Sequence, residues 1–200
     1  MKPPRDAQPL RLGPDVIAQL IPHRRPLVMV DAVIAYRHAP APTLWARRQI
    51  SANEDVFAGH FPGYHVWPGI YTIEGLGQST LICAIIALII REREAAGGAA
   101  ADGSAAAEVC ARLRGMQRAA AQPFPMPVAP QLDVPGARGG MAGQVDIKFL
   151  APVLAGAQLD YVVTLTHIVE PLARFDVEAE VDGEPVARGT MTGVIGPRPS

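Results

Sequence analysis

Residues 70–90 make an apolar run of 21 residues, long enough as a helix to cross a bilayer. A helix that is apolar on nearly every side is either a membrane span or the buried centre of a domain. The first half of the run favours the second reading. Glu74, Gln78, Ser79, Thr80 and two glycines interrupt it, and only residues 81–90 are unbroken. A buried central helix obliges the rest of the chain to wrap around it. Pro68 suits the start of such a helix, since it has no N–H to leave unpaired and its φ is already helical. Arg91 and Arg93 are expected in its last turn, where cations suit the negative end of the helix dipole.

The wrapping elements read as strands. Residues 27–36 and 43–50 before the helix, and 144–149, 157–169, 172–181 and 185–195 after it, are rich in β-branched and apolar residues between breaks. Asp182-Gly183 is the dipeptide of a tight hairpin turn, and a short helix is expected over residues 15–20. The class is α+β, an antiparallel sheet around a central helix, and 200 residues suit one domain, residues 1–200.

Residues 95–139 break the pattern, with 14 Ala, 6 Gly and 5 Pro among 45 positions. This is expected to be an insertion that a short Gly/Ser loop could replace with little loss of stability. Residues 104–121 can form one helix with Ser104 as N-cap and Arg112, Arg114 and Arg118 on its surface; a solvated Ala-rich helix or disorder is the expectation there.

Charge and cysteine content narrow the function. With 18 Lys and Arg against 19 Asp and Glu, the chain lacks the basic excess that phosphate neutralisation on nucleic acid requires. Cys83 and Cys110 are too few for a disulfide framework. The first fifteen residues hold no apolar stretch of the about 7–15 residues found in a secretory signal. The expected compartment is the cytoplasm.

The chemistry concentrates in residues 59–74. Prolines and glycines hold His60 on a rigid loop, and Gly69 opens the first turn of the helix to close approach. The free N–H groups of that turn suit a carbonyl oxygen that gains charge. Glu74 lies among apolar residues one and a half turns on, and a carboxyl buried there favours its protonated form. A neutral imidazole is a base at the same pH. Base, acid and oxyanion donor are the parts needed to remove a proton beside a carbonyl and expel a β-hydroxyl. His23, His60 and His65 also raise a metal site, but no cysteine or carboxylate spacing supports one and no metal or other cofactor is expected. His23 is expected to be hydrogen-bonded within its own loop.

The pattern Gly59-His60-Phe61-Pro62-Gly63, then Pro68-Gly69, then Glu74 and Gln78, resembles the active-site signature of the β-hydroxyacyl-acyl carrier protein dehydratases of bacterial fatty acid synthesis. Pro22-His23-Arg24 ahead of the first strand, Gln49 to Glu54, and Val145-Asp146-Ile147-Lys148-Phe149 with Pro152, Val153 and Gly156 are similar to other segments of that family. The resemblance covers residues 12–94 and 140–196. It implies the hot-dog fold, with a helix wrapped by an antiparallel sheet. It further implies that His60 takes the α-proton of a 3-hydroxyacyl thioester, Glu74 protonates the leaving hydroxyl, and the Gly69 N–H polarises the thioester carbonyl. Phe61, Trp67 and Gln78 are implied substrate-site neighbours. Family members with Glu at the acid position generally dehydrate without isomerising. One site there draws its two side chains from two subunits, so the implied working unit is a homodimer or higher homo-oligomer. The implied substrate is carried by acyl carrier protein or coenzyme A.

Two departures stand out. His65-Val66-Trp67 replaces the usual Pro-Val-Met and puts bulk beside the expected acyl site. Leu150-Ala151 replaces a common pair of arginines that are candidates for contacting a carrier; Arg91, Arg93 or the basic face of the insertion could substitute, although solvated charge is the plainer reading. The rival readings are a hot-dog thioesterase and a non-catalytic acyl-binding subunit of a dehydratase heterodimer.

Overall fold

The structure, a computed structural model, describes residues 2–97, 103–120 and 138–197. The strands are β1 (Gln8–Leu12), β2 (Ala32–Arg37), β3 (Thr43–Gln49), β4 (Arg138–Phe149), β5 (Gln158–Val169), β6 (Leu172–Val181) and β7 (Glu184–Pro197); the helices are α1 (Pro14–Leu20), α2 (Gly69–Gly97) and α3 (Ser104–Ala120). Among the described residues the seven strands join one antiparallel sheet in the order β1-β2-β3-β5-β6-β7-β4. The sheet wraps α2, the arrangement expected of a hot-dog fold.

The helix is apolar because it is enclosed. Leu76 and all of residues 81–88 are buried, with Ile90, and β5 and β6 turn Leu159, Tyr161, Val163, Phe175 and Val177 toward the same core. In the 18-residue stretch of α2 apolar enough to span a membrane, 78% is buried inside the protein. The Pro68 carbonyl accepts the first helical hydrogen bonds, from Tyr71 (3.0 Å) and Thr72 (3.4 Å). Small residues let the sheet close on the helix: a Cβ on Gly75 would lie 2.2 Å from the Tyr161 hydroxyl oxygen. Asp182 and Gly183 both take positive φ, 54° and 87°, in the β6–β7 hairpin.

Several expectations are corrected. The helix runs on to Gly97, so Arg91 and Arg93 are not in its last turn. Residues 27–31 are not strand. Their main chain is bonded instead to the Gln78 side chain at Leu27 and Met29; bonding to β3 begins with the Asp31 N–H on the Arg47 carbonyl, and the strand register with Ala32. β1 carries Pro9, which an edge strand tolerates, and shows its strand character only in the buried Leu10 and Leu12. β4 reaches back from the expected residue 144 as far as Arg138, where this described stretch starts, and Gly193 lets Met141 lie close to β7.

The largest correction concerns residues 104–120. They form α3, and it is not merely solvated: Ala105, Ala106, Val109, Cys110, Leu113 and Met116 are buried in the core. Their spacing lays one apolar face against α2, α1 and β1. Gln117 Oε1 accepts the Gly13 N–H at 2.6 Å, and Arg114 donates to the Pro9 carbonyl at 3.1 Å. Replacing the whole of 95–139 would therefore remove core. Residues 98–102 and 121–137 of that stretch lie outside the described residues.

Candidate active site

His60 follows a short 3-10 helix (Asp55–Ala58), and its N–H bonds the Val56 carbonyl at 2.9 Å. Phe61 and Tyr64 close a turn on each other's main chain at 3.0 and 2.9 Å, with Gly63 at φ 79°. The loop is then tied to residues 153–155 by Trp67 N–H on the Val153 carbonyl (2.8 Å) and Ala155 N–H on the His65 carbonyl (3.1 Å). Inside this frame His60 Nδ1 lies 2.7 Å from the Val66 carbonyl oxygen. A carbonyl only accepts, so Nδ1 carries a proton and Nε2 is left as the basic nitrogen of the neutral ring.

His60 lines an open groove of about 600 Å3 with Trp67, Gly69, Ile70, Phe149 and Leu150. Phe61 stacks on the His60 ring, centroids 4.3 Å apart, and is half exposed. Trp67 is buried, with Phe57 and Tyr71 at 6.2 and 5.2 Å and the Arg48 guanidinium 5.8 Å from its ring, so its bulk belongs mostly to the core. Gly69 opens α2, where helix geometry leaves the first N–H groups without intrahelical acceptors. Its lack of a side chain serves a protein neighbour: a Cβ there would lie 2.7 Å from Cζ of Phe149.

Glu74 is elsewhere. Five residues along an α-helix is a rotation of about 140°, which carries it to another side of α2 from Gly69. It lines a separate cavity of about 110 Å3 with His23, Gln78, Leu81, Met141 and Met191. Its side chain is 39% exposed, which corrects the expectation of a buried carboxyl. Gln78 is buried and fully engaged: its Nε2 donates to Glu74 Oε1 (2.8 Å) and the Leu27 carbonyl (2.5 Å), and its Oε1 accepts the Met29 N–H (2.8 Å). It cross-links the protein and has no amide donor to spare for substrate. Within one chain, then, His60 and Glu74 line different cavities.

Sequence reasoning missed two neighbours. Phe149 covers Gly69, a contact between distant segments with no local signal. His23 was expected within its own loop, but its Nε2 lies 3.4 Å from Glu74 Oε1; the Pro-His-Arg sequence marked the residue but not its target. The three histidines raised for a metal diverge, His65 stacking on Phe57 with centroids 5.2 Å apart. Among the described residues no group of three or more His, Cys, Asp and Glu side chains is placed to hold a metal ion. Burial pushes both thiols up, Cys110 to about 11 and Cys83 further, which disfavours a thiolate nucleophile.

A FabA-like domain matches residues 21–113. The 3-hydroxyacyl-[acyl-carrier-protein] dehydratase FabZ of Colwellia psychrerythraea is 47% identical over 64 residues, 32% of this chain and 41% of that enzyme. The FabZ of Nitrosomonas eutropha is 27% identical over 175 residues, 88% of this chain and 92% of that one. Among solved structures, the dehydratase heterocomplex ApeI:P from Xenorhabdus doucetiae superposes with a TM-score of 0.55 at 17% identity, covering 92% and 91% of the two chains, and so shares the fold.

Proposed function

We propose, for a chain that carries a FabA-like domain and has FabZ dehydratase relatives along most of its length, that it removes water from a 3-hydroxyacyl thioester to give the trans-2-enoyl thioester in fatty acid or polyketide-like synthesis. His60 Nε2 takes the α-proton as the C–H electron pair becomes the new double bond. Glu74 gives its proton to the β-hydroxyl, which leaves as water. The Gly69 N–H polarises the thioester carbonyl while charge develops on its oxygen. The observation that carries this reading is the 2.7 Å contact of His60 Nδ1 with Val66, which leaves Nε2 as a base in an apolar groove that reaches the start of α2.

The working unit of this reading is a homodimer, in which His60 of one copy meets Glu74 of the other. Two observations support it: the separate cavities, and the edge strand β4, which exposes Met141, Val145 and Phe149 beside exposed Ile70 and Leu150. An apolar edge with no further strand beside it among the described residues calls for a partner. Acyl carrier protein or coenzyme A carries the substrate, no cofactor takes part, and the compartment is the cytoplasm.

The test is to incubate the purified protein with a 3-hydroxyacyl thioester on each carrier and follow enoyl absorbance and free thiol together. Enoyl product supports the dehydratase. Released thiol without enoyl product would make it a thioesterase, and neither would make it a non-catalytic acyl-binding subunit.

A further inference from the structure

We infer, resting on the reading of Glu74 as the acid, that His23 is a positioning residue that fixes which oxygen of Glu74 carries the reactive proton. Both neighbours of the carboxyl converge on one atom: Gln78 Nε2 donates to Oε1 at 2.8 Å, and His23 Nε2 stands 3.4 Å from the same Oε1. An oxygen that accepts N–H donors is a poor place for a proton, so the acid's O–H sits on Oε2, free to point at a leaving hydroxyl. The Gln78 N–H on Oε1, with the His23 ring beside it, also stays in contact with the carboxylate once the proton has gone.

The placement of His23 is built, not incidental. The Arg24 guanidinium bonds the carbonyls of Ala18 (2.9 Å), Ile21 (2.9 Å) and His23 itself (2.8 Å), which fixes the His23 main chain at the end of α1. Four residues on, Gln78 holds Leu27 and Met29, so the segment that bears His23 is anchored to the helix that bears Glu74. The ring's other nitrogen, Nδ1, is buried and has no partner among the described residues. The neutral ring therefore keeps its proton on Nε2, where an acceptor is in reach. His23 and Glu74 are the titratable side chains among the residues lining that cavity; the others there are apolar or uncharged, from α2, β4, β6 and β7. Tyr161 of β5 also packs against this helix, at Gly75. Burial raises the pKa of its phenol, which keeps it neutral.

The test compares His23→Ala, His23→Gln and Glu74→Gln, alone and combined. Losing a polar contact to an ionising group corresponds to about 10-fold in rate, so His23→Ala is expected to lower kcat by about that factor with KM nearly unchanged. His23→Gln, whose amide N–H reaches the position of Nε2 without titrating, should restore most of the loss. In the Glu74→Gln background His23→Ala should cost nothing further, because its effect runs through Glu74. An unchanged kcat in His23→Ala, or an equal loss in both backgrounds, would overturn the proposal. The contact is also read without activity, so the proposal stays testable if no dehydration is found: the His23 ring nitrogens, followed by NMR through the neutral range, should respond to Glu74→Gln. No response would overturn it.

Discussion

His60 sits on a loop whose fixed points are main-chain hydrogen bonds, whereas Glu74 sits on a helix and is held by the side chains of Gln78 and His23. The groove of the first is open and mostly apolar; the cavity of the second is small and carries the polar cross-links. The proposed base is therefore expected to tolerate changes in the side chains around it, and the proposed acid is not. The two line different cavities, and in the proposed dimer each would supply half of a site.

Removing either half outright should have the largest effect. His60→Ala and Glu74→Gln are each expected to lower dehydration at least about 10²-fold while leaving a folded protein, as judged by turnover and thermal melting. Near wild-type turnover in either variant would strike that residue from the mechanism. Next comes Gln78→Ala, which leaves the buried Met29 N–H and the partly buried Leu27 carbonyl without the Gln78 side chain and frees Glu74. We expect kcat to fall about 10-fold and the melting temperature to drop, since an orphaned buried group such as the Met29 N–H costs about 1–3 kcal/mol. Unaltered kcat would show that the carboxyl needs no such frame.

The matching change on the other half is Phe61→Ala. Phe61 is half exposed and only stacks on a ring already fixed by Val66, so its loss should change turnover no more than about threefold. A drop like that of Gln78→Ala would erase the contrast between the halves. The smallest effect on rate belongs to Leu113→Ala, on α3 and outside the lining of both cavities. It should cost about 2–5 kcal/mol of stability for a lost core side chain while kcat, measured well below the melting point, stays at the wild-type value.

What was legible in the sequence follows from where the physics is local. The 70–90 run is apolar on all sides, so its burial can be read without knowing its neighbours, and the Pro/Gly frame around His60 is a local constraint as well. α3 was misjudged because composition hides a face: the Ala-rich segment has few large residues, yet Val109, Cys110, Leu113 and Met116 share one side. Residues 27–31 were misread as strand because their bonding partner is a side chain 49 positions away in the case of Met29. The burial of Glu74 was inferred from its sequence neighbours, whereas its exposure depends on which side of the helix it occupies.

The measurement that bears most directly on the central claim, one site shared by two copies, is complementation. Inactive His60→Ala and Glu74→Gln proteins are mixed, dissociated, reassociated and assayed for enoyl product. A mixed dimer holds one site with both changes and one with neither, so statistical mixing should restore about a quarter of the wild-type rate. Activity no greater than that of the two parents, with mixed dimers demonstrated in the same sample, would contradict the shared site.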